Sequence, residues 1–379
     1  MKTAAIISEF NPFHNGHKYL VDKIKCEYAQ SVVAIMSGNF VQRGDVAIID
    51  KHRRAQTALE NGCDLVVELP TVFAVSSAQH FAKGGVEIAS ALNSDFLCFA
   101  AEDADTEKLT KIAYTFNSDE FSTKLRDELS RGSYYPKAVC NTINALLGKE
   151  YSEILSKPNN TLAIEYIKAL KNTSISPIAI RRIGAEHDSC EVVDNISSAS
   201  HIRNLIHENK SYSDFSPALV PYHTDINKLQ TAILYKIKTM TKEELENLPD
   251  VTEGLHNRIY ECAKFVNSLN ELYETLKTKR YTLARLRRII ISALLGITKE
   301  DAKCDAQYIR VLGMNDNGAK LLSDATLPLV CKFPQDYDKL FEKGKRMLDI
   351  DLNAGKVFSL STNIDGVYQN ELKTKLIKR

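Results

Sequence analysis

Two histidines, His14 and His17, stand close together in the stretch EFNPFHNGHKYL (residues 9–20). The preceding apolar run AAIIS (4–8) predicts a buried strand of a parallel sheet. A helix that begins near Gly16 or His17 would then point free N–H groups and its positive end at the carboxyl edge of that sheet. Two imidazoles at this place can both donate to a phosphate whose charge grows during displacement at phosphorus. The stretch therefore predicts a catalytic anion site.

The residues around the histidines fit such a site. Gly16 lets the backbone approach a ligand closely, Pro12 stiffens the entry to the loop, and Asn11 and Asn15 can donate to oxygens. A purely structural interpretation is also open, in which one histidine lies on the surface and the other caps the helix. A metal site would need a third ligand, and no HExxH pattern supplies one. The combination of strand, glycine and helix favours the anion site.

A second phosphate-binding pattern is ISSASHIR (196–203). Hydroxyls and N–H groups at a helix N-terminus hold phosphate oxygens, and Arg203 adds a permanent forked positive charge. The alternative is that Ser197 or Ser198 is an ordinary helix N-cap. Because the pattern follows the histidine pair in the chain, the phosphate-binding interpretation is favoured.

The first half of the chain alternates strand-like and helical segments. Its apolar runs are continuous, as is typical of strands buried on both faces of a parallel sheet. These runs are AAIIS (4–8), SVVAIM (31–36), DLVVEL (64–69), DFLCFA (95–100) and SPIAIRRI (176–183). Amphipathic helical segments lie between them at 17–29, 51–61, 77–92 and 161–172. The order predicts an α/β fold with a doubly wound parallel sheet.

The second half follows a different pattern. Helical patterns dominate 226–240, 255–278 and 282–296, after a change of pattern near residue 210 and a predicted linker at SPALVPYH (216–223). A chain of 379 residues exceeds what one hydrophobic core usually organises. We therefore predict two domains, a catalytic domain over 1–212 and a mainly helical domain over 213–379.

Composition limits the partners and the compartment. The chain has 49 Lys and Arg against 48 Asp and Glu, so a nucleic acid would have to bind a local basic patch. Its eight cysteines are far apart and form no CxxC, which argues against a zinc site. No apolar run is long enough to span a bilayer, and the first is too short for a signal-peptide core. The sequence predicts a cytoplasmic protein with reduced thiols and no membrane partner.

The paired motifs resemble those of the HxGH nucleotidylyltransferase superfamily, whose histidines contact nucleotide phosphates. Longer blocks of the sequence are similar to the bacterial tRNA(Met) cytidine acetate ligases. These blocks are EFNPFHNGH (9–17), SGNFVQRGDVAIIDKHRRAQTAL (37–59), GCDLVVELP (62–70), PNNTLAIEYIKAL (158–170), IRRIGAEHD (180–188), EGLHNRIYECA (253–263), TKRYTLARLRRI (278–289) and YIRVLGMN (308–315). The resemblance covers nearly the whole chain.

This resemblance implies a fold and a reaction. The fold would be a Rossmann-like doubly wound parallel sheet of the HxGH type with a mainly helical C-terminal domain. ATP and acetate would give acetyl-adenylate and pyrophosphate, with Mg²⁺ accompanying ATP. The acetyl group would then pass to the wobble cytidine of elongator tRNA(Met), giving N4-acetylcytidine and AMP. The alternative within the superfamily is a small-molecule nucleotidylyltransferase that acts on a phosphorylated metabolite.

The resemblance also implies a set of site residues. The catalytic set is His14, His17, Ser198 and Arg203. The ATP-binding set is Ile7, Ser8, Glu9, Phe10, Asn11, Pro12, Phe13, His14, Asn15, Gly16, His17, Lys18, Tyr19, Leu20, Ala100, Asn159, Arg181 and Arg182. Ala100 stands where the family is expected to have glycine. His187 is given no role, because the residues before it depart from the family pattern.

The two chemical steps differ in their need for a base. Acetate is already ionised at neutral pH, so adenylation needs positioning and charge stabilisation. The amine that accepts the acetyl group must lose a proton, and Glu9, Asp45 and Glu68 are candidate bases by their proximity to strand ends. A salt bridge or a cap is the favoured alternative for each. Arg43 could face a phosphate, the acetate carboxylate or solvent.

Two basic segments are candidates for contact with tRNA phosphates. The first combines Tyr281 with six cations, namely Lys277, Lys279, Arg280, Arg285, Arg287 and Arg288. On a helix these residues would form a basic ridge beside an aromatic ring, although a solvated charged face is the commoner alternative. The second is the end of the chain, with Lys373, Lys375, Lys378 and Arg379. It could bind phosphates or form a frayed tail.

Overall fold

The computed structural model describes residues 1–183, 195–278, 280–362 and 374–379. His187, Lys279 and Lys373 lie outside the described residues. The strands within these ranges are β1 (Thr3–Ser8), β2 (Ser31–Ser37), β3 (Phe40–Val41), β4 (Asp45–Val46), β5 (Leu65–Leu69), β6 (Phe96–Ala101), β7 (Ser176–Arg181), β8 (Ile309–Met314), β9 (Leu329–Val330) and β10 (Ile377–Lys378).

Helices cover both faces of the sheet and form most of the second half. They are α1 (Asn15–Glu27), α2 (Lys51–Glu60), α3 (Thr71–Ala74), α4 (Ala78–Ala91), α5 (Thr106–Thr115), α6 (Asp119–Ser130), α7 (Tyr135–Leu147), α8 (Lys149–Ile154), α9 (Pro158–Ala169), α10 (Ala199–His207), α11 (Gln230–Thr239), α12 (Lys242–Glu246), α13 (Leu255–Ala263), α14 (Leu269–Leu276), α15 (Leu283–Leu295), α16 (Lys299–Lys303), α17 (Asp316–Leu321) and α18 (Glu342–Ser359). Short 3₁₀ turns occupy Leu170–Asn172 and Ile226–Leu229. No helix of the described ranges is long and apolar enough to cross a membrane.

The central sheet has the strand order β10-β8-β5-β2-β1-β6-β7, with β9 beside β8. β1 lies between β2 and β6 and is parallel to both. The chain leaves β1 first towards β2 and β5, and later returns to its other side with β6 and β7. The point where the strand order reverses is where doubly wound sheets bind ligands, in the crevice beyond the carboxyl ends of the strands. The predicted α/β fold is confirmed, including all five predicted strands.

The edge of the sheet beyond β5 comes from the C-terminal half, which the sequence analysis predicted as mainly helical. β8 pairs antiparallel with β5, and the pairing buries Ile309, Val311 and Leu312 at that edge. β10 then pairs with β8, and the Arg379 Nη1 donates to the Leu59 carbonyl at 2.7 Å. These last residues are therefore an ordered edge rather than a frayed tail. The division at 212/213 stays a prediction, and the sheet takes strands from both sides of it.

Candidate active site

A cavity of about 330 Å³ opens at the carboxyl edge of the sheet, around the ends of β1, β6 and β7. Most predicted site residues line it, namely Ile7, Ser8, Glu9, Phe10, Asn11, His14, Gly16, His17, Tyr19, Leu20, Ala100, Asn159, Arg181, Arg182, Ser198 and Arg203. A larger and more open groove of about 760 Å³ between α5, α6 and α7 contains none of them. The cavity at the switch point is therefore the candidate active site.

Four residues of the predicted ATP-binding set lie outside the cavity wall, namely Pro12, Phe13, Asn15 and Lys18. The buried ring of Phe13 packs against Phe10, with ring centroids 4.9 Å apart. The side-chain amide of Asn15 donates to the carbonyls of Asn195 and Asp214, both at 2.8 Å. Lys18 forms an exposed ion pair with Asp22, one turn further along α1. Here these side chains support the loop and the helix, and their contact with a nucleotide stays a prediction.

The two histidines are held in one protonation pattern by the start of α1. His14 is the N-cap, and its Nδ1 accepts from the Gly16 N–H at 3.1 Å. His17 Nδ1 accepts from the His14 N–H at 3.2 Å, and the two rings stack with centroids 3.7 Å apart. A neutral imidazole whose Nδ1 accepts carries its proton on Nε2. Both rings can thus offer an Nε2–H donor to a ligand in the cavity.

The prediction of free N–H groups at the start of α1 was wrong. The Asn15 N–H donates to the Phe215 carbonyl at 2.9 Å, and the Gly16 N–H donates to the His14 ring. The next two amides donate to the His14 carbonyl at 2.8 and 3.1 Å. A Cβ on Gly16 would lie 3.0 Å from His14 Cε1, so glycine is needed here for the histidine ring. The imidazoles, rather than the backbone, are the donors this helix offers.

Burial and neighbouring charge keep both histidines neutral. Burial, followed by the positive charges of Arg182 and Arg203, lowers the pKa of His14 to about 3. Burial, His14 and Arg182 lower the pKa of His17 well below its usual value. A neutral imidazole can still donate an N–H hydrogen bond to an oxyanion that develops in the reaction. Positive charge in the cavity therefore comes from its arginines.

This arrangement predicts a loss of stability in mild acid. The unfolded chain protonates His14 below pH 6.5, whereas the folded chain resists protonation down to about pH 3, so the stability present above pH 6.5 is lost as pH falls. Because of His14, the free energy of unfolding should be about 2 kcal/mol lower at pH 5 than at neutral pH. Urea unfolding at pH 5 to 7.5 measures it. The His14→Asn variant keeps an N-cap acceptor and should show a flatter pH dependence; parallel curves for the two proteins would contradict the prediction.

The second motif begins α10 and faces the same cavity. Ser198 Oγ accepts from the His201 N–H at 3.1 Å, so the N-cap alternative is correct for this residue, and its phosphate contact stays a prediction. Arg203 donates from Nη1 to the Asn11 carbonyl at 2.8 Å and from Nη2 to Ser200 Oγ at 3.0 Å. These bonds fix the guanidinium beside the histidine loop. They bring the two sequence motifs together at one cavity.

Ser197 is a cavity residue to which the sequence analysis assigned no ligand. Its side chain is 3% exposed, and its Oγ has no hydrogen-bond partner among the described residues. A buried hydroxyl without a partner is unfavourable unless a ligand or water completes its hydrogen bonds. Its neighbour Ser198 already serves as the N-cap, so the Ser197 hydroxyl is the one available to a ligand.

The opposite wall is formed by residues from β6, α9 and the end of β7. The Asn159 side-chain amide donates to Glu102 Oε1 at 2.6 Å, which fixes its orientation. The Arg182 N–H donates to the Ala101 carbonyl at 3.0 Å and continues the parallel pairing of β7 with β6. Ala100 lines the cavity between them. Ala100, Asn159 and Arg182 follow the histidines in the chain, and these predicted nucleotide contacts lie on the β6 side of β1.

Of the three candidate bases, Glu68 is excluded from the cavity wall. It is 1% exposed, and its carboxylate contacts Lys51 Nζ at 2.7 Å and Arg310 Nε at 3.3 Å. Lys51 is equally buried, and Gly38 packs so closely that a Cβ there would overlap the carboxylate. The salt-bridge alternative is correct for Glu68. The prediction that Glu68 could act as a base at the cavity was wrong, because its side chain does not line the cavity.

Glu9 and Asp45 are the carboxylates that line the cavity among the described residues. Glu9 Oε1 accepts from the Gln42 N–H, and Asp45 Oδ1 accepts from the Val46 N–H, both at 2.8 Å. Burial raises the pKa of Asp45, although the Val46 amide and the Arg287 charge act against it. A carboxylate with a raised pKa accepts a proton more readily. Both residues remain candidates for the base.

Sequence reasoning missed the role of Arg54 in the site. Its guanidinium is 1% exposed and donates to the carbonyls of Glu9 at 2.7 Å, Ser37 at 3.0 Å and Ile49 at 3.0 Å, with a further bond to Gly38. It therefore ties together the loops that follow β1 and β2. The local sequence does not distinguish Arg54 from the exposed Arg53 beside it, because most of the carbonyls that it binds come from other segments.

The predicted basic ridge does not form. Tyr281 is 7% exposed and cannot stack on a base. Arg285 Nη2 donates to the Asp250 carbonyl at 2.7 Å, and Arg288 pairs with the Asp250 carboxylate at 3.4 Å. Arg287 points elsewhere and lines the cavity. The helix predicted over 282–296 is confirmed as α15, but Lys277, Arg280 and Tyr281 precede its first residue, and packing uses the polar atoms of Arg285 and Arg288 internally.

The fold and the histidine pair define a HIGH-type nucleotidyl transferase, and the family model for HIGH nucleotidyl transferases matches residues 1–373. A tRNA(Met) cytidine acetate ligase of Caldanaerobacter subterraneus subsp. tengcongensis is 38% identical, over 95% of this chain and 96% of its own. One from Clostridium kluyveri is 36% identical, over 100% and 99%. The chain therefore belongs to the tRNA(Met) cytidine acetate ligase family, as its sequence motifs predicted.

Solved structures agree with this assignment over the full length. The crystal structure of apo Thermotoga maritima TmcAL is 28% identical and superposes with a TM-score of 0.91, covering 100% of both chains. A second structure of that protein, bound with alpha-thio ATP, gives the same values. The similarity includes both the sheet and the helical C-terminal part.

Proposed function

We propose that this chain is an ATP-dependent acetate ligase that forms N4-acetylcytidine at the wobble position of elongator tRNA(Met). ATP and acetate give acetyl-adenylate and pyrophosphate, and the exocyclic amine of the cytidine then displaces AMP. Membership of the tRNA(Met) cytidine acetate ligase family supports this proposal. The reaction would take place in the cytoplasm, where tRNA and ATP are available.

The observation that carries the proposal is the pair of neutral histidines at the switch point of the sheet. Their Nδ1 atoms are occupied by backbone N–H groups, so each ring presents Nε2–H. In adenylation an acetate oxygen bonds to the α-phosphorus while the bond to the pyrophosphate oxygen breaks. Charge grows on the phosphorus oxygens, and donors preorganised in a dry cavity stabilise it. Arg203 and the start of α10 supply further contacts to the leaving pyrophosphate.

Nucleotide binding in the same cavity is part of the proposal. The base and ribose would lie towards Ala100, Asn159 and Arg182, with the phosphates at His14 and His17. The T. maritima structure bound with alpha-thio ATP supports this for the family. Mg²⁺ stays a prediction tied to the nucleotide. The described residues bring no three His, Cys, Asp or Glu side chains together, so the nucleotide phosphates would provide most of the ligands of a Mg²⁺ ion.

Transfer to the tRNA needs a proton acceptor for the amine. Glu9 and Asp45 line the cavity and are proposed for this role. The adenylate supplies a good leaving group, because AMP departs as a phosphate monoester. Binding of the anticodon loop would place the wobble base at the mouth of the cavity, since single-stranded bases are usually recognised when splayed out of the stack.

The test is ATP–pyrophosphate exchange with purified protein and a panel of small carboxylic acids, without tRNA. We expect exchange that depends on acetate. In a second assay, protein, ATP and labelled acetate are incubated with tRNA, and recovered nucleosides are analysed by mass spectrometry for N4-acetylcytidine. Elongator tRNA(Met) should be acetylated, and the same tRNA with its wobble cytidine replaced by uridine is the matched control. A stable nucleotidyl product formed from a phosphorylated metabolite, without RNA, would instead establish the alternative activity.

A further inference from the structure

The helical C-terminal half contributes one arginine to the candidate active site. Among the described residues, Arg287 on α15 is the single cavity-lining residue that lies C-terminal to Arg203. It reaches the cavity because α15 packs directly on the β3–β4 hairpin. Gly44 has a φ of +70°, and a Cβ there would lie 2.5 Å from the backbone of Arg287 and Arg288. The close approach of helix and hairpin therefore requires glycine at this turn.

Arg287 differs from the arginines on either side of it. Arg285 donates to the Asp250 carbonyl and to Thr252 Oγ1 at 2.8 Å, and Arg288 pairs with the Asp250 carboxylate. Within the described residues Arg287 makes no hydrogen bond, and no carboxylate lies within 4.0 Å of its guanidinium, although its charge acts on the Asp45 carboxyl and opposes the rise of that pKa. Its Cζ lies 5.8 Å from the ring centroid of Tyr273, which holds the side chain on one aromatic face without neutralising it.

The position of Arg287 indicates which substrate it faces. The predicted nucleotide contacts lie between β1 and β6, where the strand order reverses. Arg287 lies on the other side of β1, against the β3–β4 hairpin that follows β2. Val41, Gln42, Arg43 and Asp45 line the same part of the cavity. The part of the cavity beside the β3–β4 hairpin is therefore available to a second substrate, next to the nucleotide phosphates.

We propose that Arg287 binds the carboxylate of the acid substrate and holds it against the nucleotide α-phosphate. The proposal rests on the acetate ligase function proposed above. A carboxylate and a phosphate repel each other at reacting distance, and a fixed positive charge offsets that repulsion. The guanidinium fork matches the two carboxylate oxygens, so one oxygen can be bound while the other attacks.

The experiment compares Arg287→Met and Arg287→Lys with the wild type in ATP–pyrophosphate exchange without tRNA. Arg287→Met should raise the KM for acetate by about 10- to 100-fold, and leave the Kd for ATP measured by calorimetry within about twofold. Arg287→Lys should give an intermediate KM, because lysine keeps the charge but lacks the fork. Circular dichroism melting confirms that the variants fold.

Arg285→Met is the matched control, since Arg285 lies on the same helix and does not line the cavity. It should leave the acetate KM and the ATP affinity at wild-type values. An unchanged acetate KM in Arg287→Met would overturn the proposal, and so would a loss of ATP affinity as large as the change in acetate KM, which would assign Arg287 to the triphosphate. If the wild type binds ATP but shows no acetate-dependent exchange, the ligase function itself fails, and this result is distinct from either outcome.

Discussion

Replacement of His17 by alanine should reduce acetate-dependent ATP–pyrophosphate exchange by about 10³-fold, the effect expected when one preorganised oxyanion donor is removed. His17 presents Nε2–H to the cavity because its Nδ1 accepts from the His14 backbone. The donor acts on charge that develops in the transition state, so kcat should fall far more than the affinity for ATP. Exchange kinetics and calorimetric titration with ATP measure the two quantities separately.

Two further variants separate catalysis from helix capping. His17→Gln keeps an acceptor at the third position of the helix, as in a capping box, but cannot reproduce the imidazole geometry. It should melt like the wild type and still lose most of the activity. His256→Ala, on α13 and away from the cavity wall, should have no effect. If His17→Gln were fully active, the histidine would serve only to cap α1.

The second large effect concerns stability. Glu68→Gln should lower the free energy of unfolding by about 3–5 kcal/mol, because it removes the buried negative charge that pairs with Lys51 and Arg310. Both cations are at most 7% exposed on their side chains, so water cannot replace the lost partner. Urea unfolding monitored by circular dichroism measures the change.

The control for Glu68 is an ion pair on the surface. Glu27→Gln removes the partner of Lys23 on α1, where the lysine and glutamate side chains are 31% and 43% exposed, and it should leave the stability nearly unchanged. Below its melting temperature, Glu68→Gln should retain exchange and acetyl transfer. A variant of normal stability that adenylates acetate but fails to transfer it would make Glu68 the base after all.

The parts of the site that sequence reasoning predicted are those defined by local pattern. The buried runs before the histidines and around Ala100 have no alternation, and they form β1 and β6. The spacing of His14 and His17 places them on one turn of helix. The motif that contains Ser198 begins α10 as predicted. Each of these features depends on residues adjacent in the chain, so a periodic pattern is sufficient to reveal it.

The features that were missed depend on contacts between distant segments. The first N–H group of α1, that of Asn15, donates to the Phe215 carbonyl, which arrives from another part of the chain. Arg54 was indistinguishable from other helical arginines until four carbonyls surrounded it. The basic ridge failed because the Asp250 backbone carbonyl binds Arg285 and the Asp250 carboxylate pairs with Arg288. Tertiary packing, which a single sequence does not display, decided all three.

The antiparallel pairing of β8 with β5 has a consequence for synthesis on the ribosome. Leu65, Val66 and Val67 emerge early, whereas Ile309 and its neighbours emerge near the end of the described chain. At about 5–20 residues per second, the apolar edge of β5 stays open for tens of seconds. An unpaired edge of this kind is a template for association with other nascent chains. Polysome crowding and heat are therefore the conditions in which this protein would depend most on chaperones that shield strand edges.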